Sequence, residues 1–511
     1  MDYKTKYPEE TWLESIYQKN DKLTKEDKKL IEKAYFYAEK AHIEQKRKSG
    51  EPYFIHLVET AKILADLQMD GTVIAAGLLH DSVEDGVATQ KDIKENFGDE
   101  ILFLINGVTK LGHLKYKGLR RHNESLRKLF VATSKDTRVL IIKFADRIHN
   151  LKTLQHVRPD KQERIAKESL EIYTPLAYRL GITKLSKELG DLAFPYAYPD
   201  EYKKVNKVLK ERSKENMKNL EKASRSISRK LAENKIKNFK ITHRVKALVS
   251  LHKKLLRKKW EDNKIYDIIA MRILVNSIED CYKVLGIVHQ TFQPMPGRLK
   301  DYIAVPKPNG YQSIHTTVFT GQGGIIEIQI RTYKMHQEAE YGAASHLGYK
   351  AETVGVEGVT NTKKDWVTKF AEMFGKKKPQ NIKNQKTNPK WIKDLAKSAD
   401  EPEKENFKDD LASDFFSDRI FVFTPKGEVI DLPEGSCPID FAYQVHTKVG
   451  EKTTGAKING KFSALNTILK NGDIVEIETK KNAKPNLKWL EFVKTTTAKK
   501  RIRAFCEKNK K

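Results

Sequence analysis

Cysteine is scarce in this chain: Cys281, Cys437 and Cys506 are far apart in the sequence, and no C-x-x-C pair occurs. Neither a disulfide framework nor a zinc ribbon is therefore indicated, and a reducing cytoplasm is the expected location. The sequence also lacks an apolar run long enough to cross a membrane. Its first residues, MDYKTKYPEE, do not show the basic-then-apolar pattern of a secretory signal. These absences argue against a disulfide-rich secreted protein and predict that no membrane is among the partners.

Negative charge is outweighed by positive charge. The chain has 96 Lys and Arg against 68 Asp and Glu, a formal net charge of +28, which favours polyanionic partners such as nucleotides, RNA or a ribosome. The excess is uneven, because residues 201–260 hold 21 Lys and Arg but 5 Asp and Glu. Taken alone, a charge run of this kind more often marks a solvated helical face than a binding surface.

The 511 residues are enough for several domains, each with its own core. Residues 1–195 show helical spacing of apolar residues, which FPYAYPD (194–200) interrupts with two prolines. A basic helical stretch then leads into residues 241–348, where strand-like alternation appears. Residues 349–418 are polar and rich in Pro, Asn and Lys, as expected of a linker. Short strand-like runs separated by Gly and Pro turns return from residue 419 onward.

The segment LLHDSVEDG (78–86) places one imidazole and three carboxylates directly behind an apolar run. Burying such groups is costly unless they are paired, and a divalent cation would pair with them. We expect the helix of the apolar run to continue through this segment, so that His80 aligns with Glu84 and Asp81 with Asp85. An HD dipeptide alone is weak evidence for a metal site.

Two more residues in similar settings complete a possible metal shell. His56 lies beside a helix expected to start after Pro52, and Asp146 lies in the apolar run LIIKFADRIHNLKTL. Two His and two Asp give a mixed nitrogen and oxygen shell that suits Mn²⁺ better than a thiolate-bound metal. The extended pattern H…HDxxED…D, with RKSGEPY before it and ADRIHNL after it, resembles the HD-type hydrolase domain of the RelA/SpoT homologue family.

That resemblance implies a role for each residue of the pattern. His56, His80, Asp81 and Asp146 match the Mn²⁺ ligands of the family. Glu84 and Asp85 match the pair that orients and deprotonates the attacking water. The residues around the nucleotide are matched by Arg47, Lys48 and Asn150. The chemistry agrees, because a metal lowers the pKa of bound water, a carboxylate takes its proton and cations neutralise the leaving pyrophosphate.

A second constellation lies in PGRLKDYIAVPKPNGYQSIHTTVF (296–319), where basic residues alternate with tyrosines. This composition is compatible with a nucleotide pocket, in which cations hold phosphates and an aromatic ring stacks on a base, or with a basic surface hairpin. Glu327, on the polar face of the predicted strand IIEIQIRT (325–332), and Asp267 offer two carboxylates for Mg²⁺. No Walker A sequence and no kinase glycine-rich loop is present.

These segments resemble the synthetase domain of the same family, which transfers pyrophosphate from ATP to the 3′-hydroxyl of GDP or GTP. Asp267 and Glu327 match its Mg²⁺-binding and base carboxylates. Residues matching the ATP side are Arg244, Lys246, Ser250, Lys254 and Arg272. Residues on the guanosine side are Lys300, Asp301, Lys307, Asn309, Tyr311, Gln312 and His315, with Tyr311 stacking on guanine. Arg298, a basic residue of the same segment, is also expected to bind nucleotide. RLKD (298–301) has the basic RxKD form of bifunctional members, whereas HRVKALVS (243–250) departs from the usual G-R-P-K-H-I-Y-S by losing Gly and Pro.

The segment 420–461 resembles a TGS domain, in which His446 matches a histidine that contacts the 3′ end of uncharged tRNA. An ordinary surface histidine is the alternative. The predicted fold class is multidomain α and α+β. We expect an all-α HD-type hydrolase domain (1–195), an α/β nucleotidyltransferase-like synthetase domain (196–348), a linker (349–418) and a small β-grasp TGS domain (419–481). The final residues, 482–511, are expected to start a truncated or short C-terminal helical region.

Two functional interpretations from different classes remain. The preferred one is a cytoplasmic enzyme of the stringent response that makes (p)ppGpp from ATP and GDP or GTP at a Mg²⁺ site and hydrolyses it at a Mn²⁺ site. The alternative is a regulator that binds tRNA or the ribosome and keeps hydrolase activity or none. An HD phosphohydrolase acting on dNTPs would account for residues 1–195 but not for residues 241–345. By the resemblance, the ribosome and uncharged tRNA are expected to be further partners.

Overall fold

The structure is a computed structural model of the 511-residue chain. It describes residues 9–109, 118–261, 268–307, 309–321, 324–342 and 419–508, together with the single residues 344 and 392. The chain divides into two compact units, one of residues 1–112 and 136–352 and the other of residues 113–135 and 353–511. The predicted linker lies outside the described residues apart from residue 392, and the predicted domain boundaries stay predictions.

Helices form nearly all of the described part of residues 9–197, as predicted. They are α1 (Glu9–Tyr17), α2 (Lys25–Ala41), α3 (Phe54–Asp66), α4 (Gly71–Leu79), α5 (Gln90–Val108), α6 (Gly118–Lys135), α7 (Arg138–Lys152), α8 (Pro159–Glu168), α9 (Thr174–Arg179) and α10 (Thr183–Ala197). Helix α6 belongs to the second compact unit. Short 3₁₀ and π-helical turns, Leu154–His156 and Ser169–Tyr173, connect the helices on either side of α8.

Helix α4 lies at the centre of this helical domain. Asp70 caps its N-terminus by accepting a hydrogen bond from the Val73 amide at 3.0 Å, and all of its residues are buried. It packs against α2, α3 and α7. Gly77 is required by this packing, because a Cβ there would lie 2.4 Å from a methyl carbon of Leu64. The apolar run before the HD dipeptide is therefore a core helix that carries polar residues at its C-terminal end.

The helix predicted to continue through residues 80–86 is not present. Helix α4 ends at Leu79, and the following residues form consecutive turns in which the Asp85 amide donates to the Asp81 carbonyl at 2.8 Å. Gly86, with φ of +73°, adopts a left-handed conformation that would end a helix at this point. The prediction was wrong because apolar periodicity marks the buried run but carries no signal for where its last turn unwinds.

The two prolines of FPYAYPD act differently from each other. Pro195 lies inside the last turn of α10, whereas Pro199 opens the next helix, α11 (Pro199–Glu233). The interruption is therefore confined to Tyr198, whose φ and ψ are −143° and 70°. Proline is favoured at the first position of a helix, where its missing N–H has no intrahelical partner to lose. Helix α11, 35 residues long, is the basic helical stretch that the sequence predicts.

A mixed sheet follows in the same compact unit. Its elements are β1 (Lys240–Val245), α12 (Leu248–Arg257), β2 (Ile269–Val275), α13 (Ile278–Thr291), β3 (Gln293–Pro294), β4 (Lys300–Asp301), β5 (Ile314–Phe319), β6 (Ile325–Thr332) and α14 (Tyr333–Tyr341). The strand order is β1-β2-β6-β5-β3, with β4 paired to β5, and only β2 and β6 run parallel. The prediction of a strand over residues 325–332 is confirmed, and Ile326, Ile328 and Ile330 all face the core.

Backbone-to-backbone packing joins the helical domain to the sheet domain at two glycines. A Cβ on Gly342, whose φ is +48°, would lie 2.3 Å from the carbonyl carbon of Gly181. Beside them, the Thr183 hydroxyl donates to the carbonyl of Ala339, and the Asn309 side chain donates to the carbonyl of Tyr178 at 3.1 Å. The turn before α10 and the C-terminus of α14 therefore approach more closely than side chains would allow.

The C-terminal domain consists of two small sheets with helices. Its elements are β7 (Arg419–Phe423), β8 (Val429–Pro433), α15 (Pro438–Val445), α16 (Thr447–Glu451), β9 (Thr453–Ile458), β10 (Lys461–Ser463), β11 (Val475–Thr479), a 3₁₀ turn (Leu487–Glu491) and α17 (Thr496–Lys508). Strands β10, β9 and β11 form one antiparallel sheet, and β7 pairs with β8. The three cysteines are free. Within the described residues, every helix falls short of the length and apolar character that crossing a membrane requires.

Candidate functional sites

The predicted metal ligands of the helical domain meet at one buried point. His56 comes from the first turn of α3, His80 and Asp81 directly follow α4, and Asp146 lies in α7. Ligand atoms of His56, His80 and Asp146 all lie within 4.8 Å of one another. The Asp81 Oδ2 atom is 3.1 Å from His80 Nε2 and 3.5 Å from His56 Nε2. Residues separated by up to 90 positions are thus brought together with their nitrogen and oxygen atoms converging.

The orientation of His80 fits a metal ligand. Its Nδ1–H donates to the Gly77 carbonyl at 2.8 Å, so in the neutral ring the lone pair is on Nε2, which is buried and lies 3.1 Å from Asp81 Oδ2. Burial opposes protonation, but the Asp81 and Asp146 carboxylates outweigh it and raise the pKa of His80 to about 10. The proton on His80 supplies positive charge that balances two buried carboxylates, and a bound cation would balance them in the same way. The donor set therefore fits a divalent cation with a mixed nitrogen and oxygen shell.

His149, which the sequence analysis did not select, connects the metal ligands to the predicted nucleotide residues. Its Nδ1 lies 2.7 Å from His56 Nδ1 and 3.0 Å from an Arg47 guanidinium nitrogen. Burial, with the nearby His56 and Arg47, lowers the pKa of His149 to about 3, so the ring is neutral and its Nδ1 accepts. The other Arg47 nitrogen donates to Asn150 Oδ1 at 2.6 Å. His149 is three residues from Asp146, on the same face of α7, and that spacing could have revealed it.

Two residues that the sequence analysis did not select, Lys143 and Tyr53, form hydrogen bonds with the carboxylates of Asp146 and Asp81. Lys143 Nζ lies 2.8 Å from Asp146 Oδ2, and Asn150 donates to the other oxygen of Asp146. Burial raises the pKa of Asp146, but Lys143 and the two imidazoles outweigh it and hold the pKa well below its usual range. Tyr53 donates its hydroxyl hydrogen to Asp81 Oδ2 at 2.6 Å. Each carboxylate is therefore ionised and fixed by a second layer of donors.

Glu84 and Asp85 lie on the turns that follow the HD dipeptide. Burial, with the nearby Asp81 and Glu84 carboxylates, raises the pKa of Asp85 to about 6. A carboxylate with a pKa close to neutrality can accept a proton from water more readily than an ordinary one. Glu84 is exposed, as is Lys48, the neighbour of Arg47 in the sequence. Both predicted water-handling residues therefore occupy exposed positions on these turns, three and four residues after the ligand Asp81.

A second cluster surrounds Glu327 on the polar face of β6. His315, from the neighbouring β5, places its Nδ1 3.4 Å from Glu327, and Gln329 donates to the same carboxylate at 2.9 Å. Burial raises the pKa of Glu327, but His315 and Gln329 outweigh it and lower the pKa to about 2. The Tyr311 hydroxyl lies 2.8 Å from His315 Nε2. Glu327 is therefore ionised and held within a chain of side chains that continues to Tyr311.

Arginines from three adjacent strands accompany Glu327. Arg244 (β1) donates to Gln329 at 3.4 Å, while Arg272 (β2) and Arg331 (β6) each lie 3.4 Å from Glu340. Arg331 is 1% exposed, and its Nε has no hydrogen-bond partner, as is also true of Arg272 Nε. Burial and the neighbouring Arg331 lower the pKa of Arg272 to about 10. These three arginines outnumber the two carboxylates, Glu327 and Glu340, so the cluster suits polyanionic phosphates.

Arg331 was missed by the sequence analysis, although a signal was present. It lies four residues after Glu327 in β6, so the two side chains share one face of the strand. The sequence analysis assigned that face to polar residues but did not recognise a buried arginine among them. Its guanidinium carbon lies 5.7 Å from the centre of the Tyr311 ring.

Tyr311 is enclosed in this structure. Its side chain is 9% exposed, and Lys307 Nζ lies 5.1 Å from the ring centre and 4.7 Å from that of Tyr302. Burial lowers the pKa of Lys307. A guanine base could stack on Tyr311 only if this loop opens, so the predicted stacking role requires a rearrangement from the conformation seen here.

The other predicted guanosine-side residues mainly shape the loop. Asp301 accepts hydrogen bonds from the Ile303 and Ala304 amides at 2.9 Å, and Gln312 donates to the Ile303 carbonyl at 3.2 Å. Asn309 donates to the helical domain, as described above. Of the other predicted residues, Arg298, Lys300 and Ser250 are exposed, and Lys254 is half-buried on α12. Lys246 lies close enough to Glu327 to affect its charge, whereas Asp267 lies outside the described residues.

His446, in the C-terminal domain, is exposed at the start of α16. Its Nδ1 accepts a hydrogen bond from the Lys448 amide at 3.1 Å and so caps that helix. The neutral ring then carries its proton on Nε2, which can donate to a ligand. The exposed Nε2–H of His446 could therefore donate a hydrogen bond, as the sequence analysis predicts.

Comparison with known proteins gives three matches along the chain. An HD domain matches residues 34–183, a region found in RelA / SpoT proteins matches residues 243–354, and a TGS domain matches residues 420–479. The chain belongs with the RelA/SpoT homologues. The order of the three matches agrees with the helical domain, the sheet domain and the C-terminal domain of the structure.

Individual relatives of this RelA/SpoT homologue match almost its whole length. The guanosine-3′,5′-bis(diphosphate) 3′-pyrophosphohydrolase of Aquifex aeolicus is 43% identical over 486 residues, covering 94% of the chain and 65% of the relative. The bifunctional (p)ppGpp synthase/hydrolase SpoT of Escherichia coli is 40% identical over 476 residues, covering 93% and 64%. The chain thus spans slightly less than two thirds of the length of these relatives.

Among solved structures, the small alarmone synthetase 2 of Bacillus subtilis matches 25% of the chain and 73% of its own length. The identity is 31% and the TM-score is 0.22, which is too low to bear on the fold.

Proposed function

We propose that this RelA/SpoT homologue both hydrolyses (p)ppGpp, in the helical domain, and makes it from ATP and GDP or GTP, in the sheet domain. The observation that carries the proposal is the convergence of His56, His80, Asp81 and Asp146 in one buried cluster. The names of the relatives support both activities. The cluster of the helical domain is rich in carboxylates and could bind a cation for hydrolysis. The cluster of the sheet domain is rich in cations and could bind two phosphorylated nucleotides.

In the proposed hydrolysis, His56, His80, Asp81 and Asp146 would hold Mn²⁺, whose charge would supply the activation of the attacking water. Glu84 and Asp85 orient that water and take its proton. Arg47 and Asn150, which are hydrogen-bonded to each other, bind the nucleotide together with Lys48. The products are GDP or GTP and pyrophosphate.

In the proposed synthesis, Asp267 and Glu327 hold Mg²⁺, whose charge would offset that of the phosphates. The 3′-oxygen of GDP or GTP attacks the β-phosphorus of ATP, and AMP leaves as the bond to the α-phosphate oxygen breaks. Arg244, Arg272 and Lys307 neutralise phosphate charge. Glu327, whose pKa is lowered to about 2, is ionised, and its proposed roles are to hold the cation and to accept the proton that the 3′-hydroxyl loses as it attacks.

The test incubates the chain with ATP, GDP and Mg²⁺, and separately with ppGpp and Mn²⁺, and separates the nucleotides by chromatography. We expect AMP and ppGpp in the first reaction, and GDP and pyrophosphate in the second. Each reaction is repeated with the metals exchanged, which tests the assignment of Mn²⁺ and Mg²⁺. Hydrolysis without synthesis would favour the alternative of a regulator with hydrolase activity only.

We further propose a cytoplasmic location and weak binding of uncharged tRNA and the ribosome through the C-terminal domain. A single donor such as His446 adds little affinity, so binding should come mostly from the +28 charge and fall steeply with salt. His446→Ala should therefore change tRNA affinity by about twofold or less. The measurement is tRNA binding at two salt concentrations, together with synthesis in the presence of stalled ribosomes. Strong ribosome stimulation that His446→Ala abolishes would contradict this proposal.

A further inference from the structure

An aromatic cluster lies on the surface where α10, α11 and α12 meet. The ring centre of His252 is 6.5 Å from that of Tyr198 and 6.1 Å from that of Trp260, and Phe194 packs 5.1 Å from it. Tyr198 is 37% exposed and Trp260 is 36% exposed. Phe194 is part of the core, so the two exposed rings are supported from below. We call Tyr198, His252 and Trp260 the aromatic platform.

A lysine accompanies each exposed ring of the aromatic platform. Lys167 Nζ lies 5.9 Å from the centre of the Tyr198 ring, and Lys204 Nζ lies 5.8 Å from the centre of the Trp260 ring. Other exposed cations of α11 and of α12 and its end are Lys203, Lys207, Lys253, Arg257, Lys258 and Lys259. Acidic residues beside the platform are fewer: Glu201 and Glu261, together with Glu163, which pairs with Lys167 at 2.6 Å, and Asp200, which lies 3.5 Å from Lys203. The platform thus combines stacking surfaces with an excess of positive charge.

The backbone at the end of α12 is strained where it presents Trp260. Lys259 and Trp260 have φ of +50° and +62°, in the left-handed region that disfavours residues other than glycine. The Trp260 amide nonetheless donates to the Leu255 carbonyl at 2.8 Å, which closes the helix end.

The aromatic platform is separate from the proposed ATP side of the synthetase site. On α12, Leu251 and Leu255 form the buried stripe. His252 lies one position after Leu251, whereas Ser250 and Lys254 each come one position before a buried leucine. At 100° per residue, these two groups fall on opposite sides of the stripe. A ligand on the platform would therefore not occupy the ATP pocket.

We propose that the aromatic platform binds single-stranded RNA. Bases would stack on the exposed faces of Tyr198 and Trp260, while the phosphates lie along the lysines of α11 and the end of α12. Sequence-independent binding of single strands depends on this combination of aromatic rings and flanking cations. Double-stranded nucleic acid would meet the charges but could not reach the rings with its stacked bases. The inference goes beyond the proposed activities and the proposed tRNA contact, and does not depend on either.

The test measures binding of the full chain to a 5′-fluorescein-labelled 20-nucleotide oligouridylate by fluorescence anisotropy. Trp260→Ala should weaken binding about tenfold, as expected for the loss of one base–aromatic stack. Trp260→Phe keeps a ring and should bind within about threefold of wild type. Phe36→Ala removes another exposed ring, 49% exposed on α2, and should not change binding. Thermal unfolding and ppGpp synthesis, both expected to be unchanged in Trp260→Ala, confirm that the variant is folded.

A matched pair of lysines separates stacking at the platform from general electrostatic attraction. Lys204→Ala and Lys222→Ala remove the same charge from the same face of α11, five turns or about 27 Å apart. Lys204 accompanies Trp260, so its loss should weaken oligouridylate binding by at least three times as much as the loss of Lys222. Equal losses would mean that the RNA responds to net charge alone and would overturn the proposal.

Three other results would also overturn the proposal. The first is wild-type affinity in Trp260→Ala. The second is absence of oligouridylate binding, and Trp260-dependent binding to vesicles containing phosphatidylserine would then identify an anionic lipid surface as the ligand. The third is tighter binding to a 20-base-pair RNA duplex than to the single strand, which would contradict the role of the rings. Absence of ppGpp synthesis by the wild-type chain would overturn the proposed function but not this inference.

Discussion

The two candidate catalytic sites have opposite electrostatic character. In the helical domain, ionised carboxylates such as Asp81 and Asp146 converge with imidazoles, and protonation of His80 compensates for their charge. In the sheet domain, Glu327 and Glu340 lie among a larger number of buried and half-buried cations, and the pKa of Arg272 is lowered to about 10. An acidic cluster recruits a cation, whereas a cationic cluster recruits phosphates. The hydrolase site should therefore depend first on its metal and the synthetase site first on its nucleotides.

The largest expected effect is the loss of hydrolysis in Asp81→Ala. This change removes an oxygen ligand and the acceptor of the Tyr53 hydrogen bond, so Mn²⁺ binding should fail. Release of pyrophosphate from ppGpp should drop to the level without enzyme, while synthesis stays within twofold of wild type. The measurements are both nucleotide assays and Mn²⁺ titration by calorimetry.

Two controls sharpen this prediction. Asp21→Ala removes an exposed carboxylate of the same domain and should leave both activities unchanged. Glu84→Ala should abolish hydrolysis while keeping Mn²⁺ affinity, since its proposed role is to handle water. If Glu84→Ala loses Mn²⁺ instead, Glu84 is a ligand and its assignment as a base is wrong.

The mirror image is loss of synthesis in Glu327→Gln. The amide is almost isosteric but cannot offer a charged oxygen to Mg²⁺, so formation of ppGpp should disappear while hydrolysis stays within twofold. Glu279→Gln, which neutralises an exposed carboxylate on α13 of the same domain, is the matched control. Loss of both activities in Glu327→Gln would mean that the two sites are not independent and would break the comparison.

A smaller effect is expected for His149, which supports a metal ligand rather than being one. His149→Ala removes the acceptor for His56 Nδ1 and one partner of Arg47, so Mn²⁺ affinity should fall by about 10–100-fold. Hydrolysis should recover in part at high Mn²⁺ concentration, and synthesis should not change. His156→Ala, at an exposed position of the same domain, is the control. Unchanged Mn²⁺ affinity would show that His56 is held without His149.

The smallest effect is expected for Tyr311. Tyr311→Ala should weaken GDP binding by about 1–3 kcal/mol, the usual contribution of a base–aromatic stack. Tyr311→Phe keeps the ring and loses only the contact with His315, so its GDP affinity should stay close to that of wild type. The measurement is GDP titration by calorimetry. Equal GDP affinity in wild type and Tyr311→Ala would indicate that the ring stays enclosed, as in this structure, when GDP binds.

The sequence predicted the regular parts of the fold because they carry strong periodic signals. The all-helical region, the basic helix α11 and strand β6 are all present. The turns after Leu79 were missed because the signal for unwinding is tertiary: a buried helix end must release His80 and Asp81 toward ligands on two other helices. Apolar periodicity cannot report such a requirement.

The sequence predicted the residues expected to contact a metal or a nucleotide better than the residues that hold those side chains in position. His56 and His80 belong to a motif, whereas Lys143, His149 and Arg331 look like ordinary polar residues beside apolar runs. Their role depends on which atoms they meet across the fold, so spacing from Asp146 and from Glu327 was the only local signal. Tyr311 was predicted as a stacking residue, but its enclosure by Lys307 depends on loop packing that no local pattern encodes.

The glycine pair at positions 181 and 342 limits how this chain can vary. The hydrogen bonds that Thr183 and Asn309 make between the helical and sheet domains involve side chains, and a side chain can be exchanged for another that reaches the same partner. At Gly342 the neighbour is main chain, which no substitution elsewhere can remove. In a library randomised at both positions, selection for a folded first unit should therefore return glycine at position 342, while neighbours such as Thr183 drift. Gly342 is therefore expected to stay constant, facing Gly181 from a separate segment, while the residues around the pair vary.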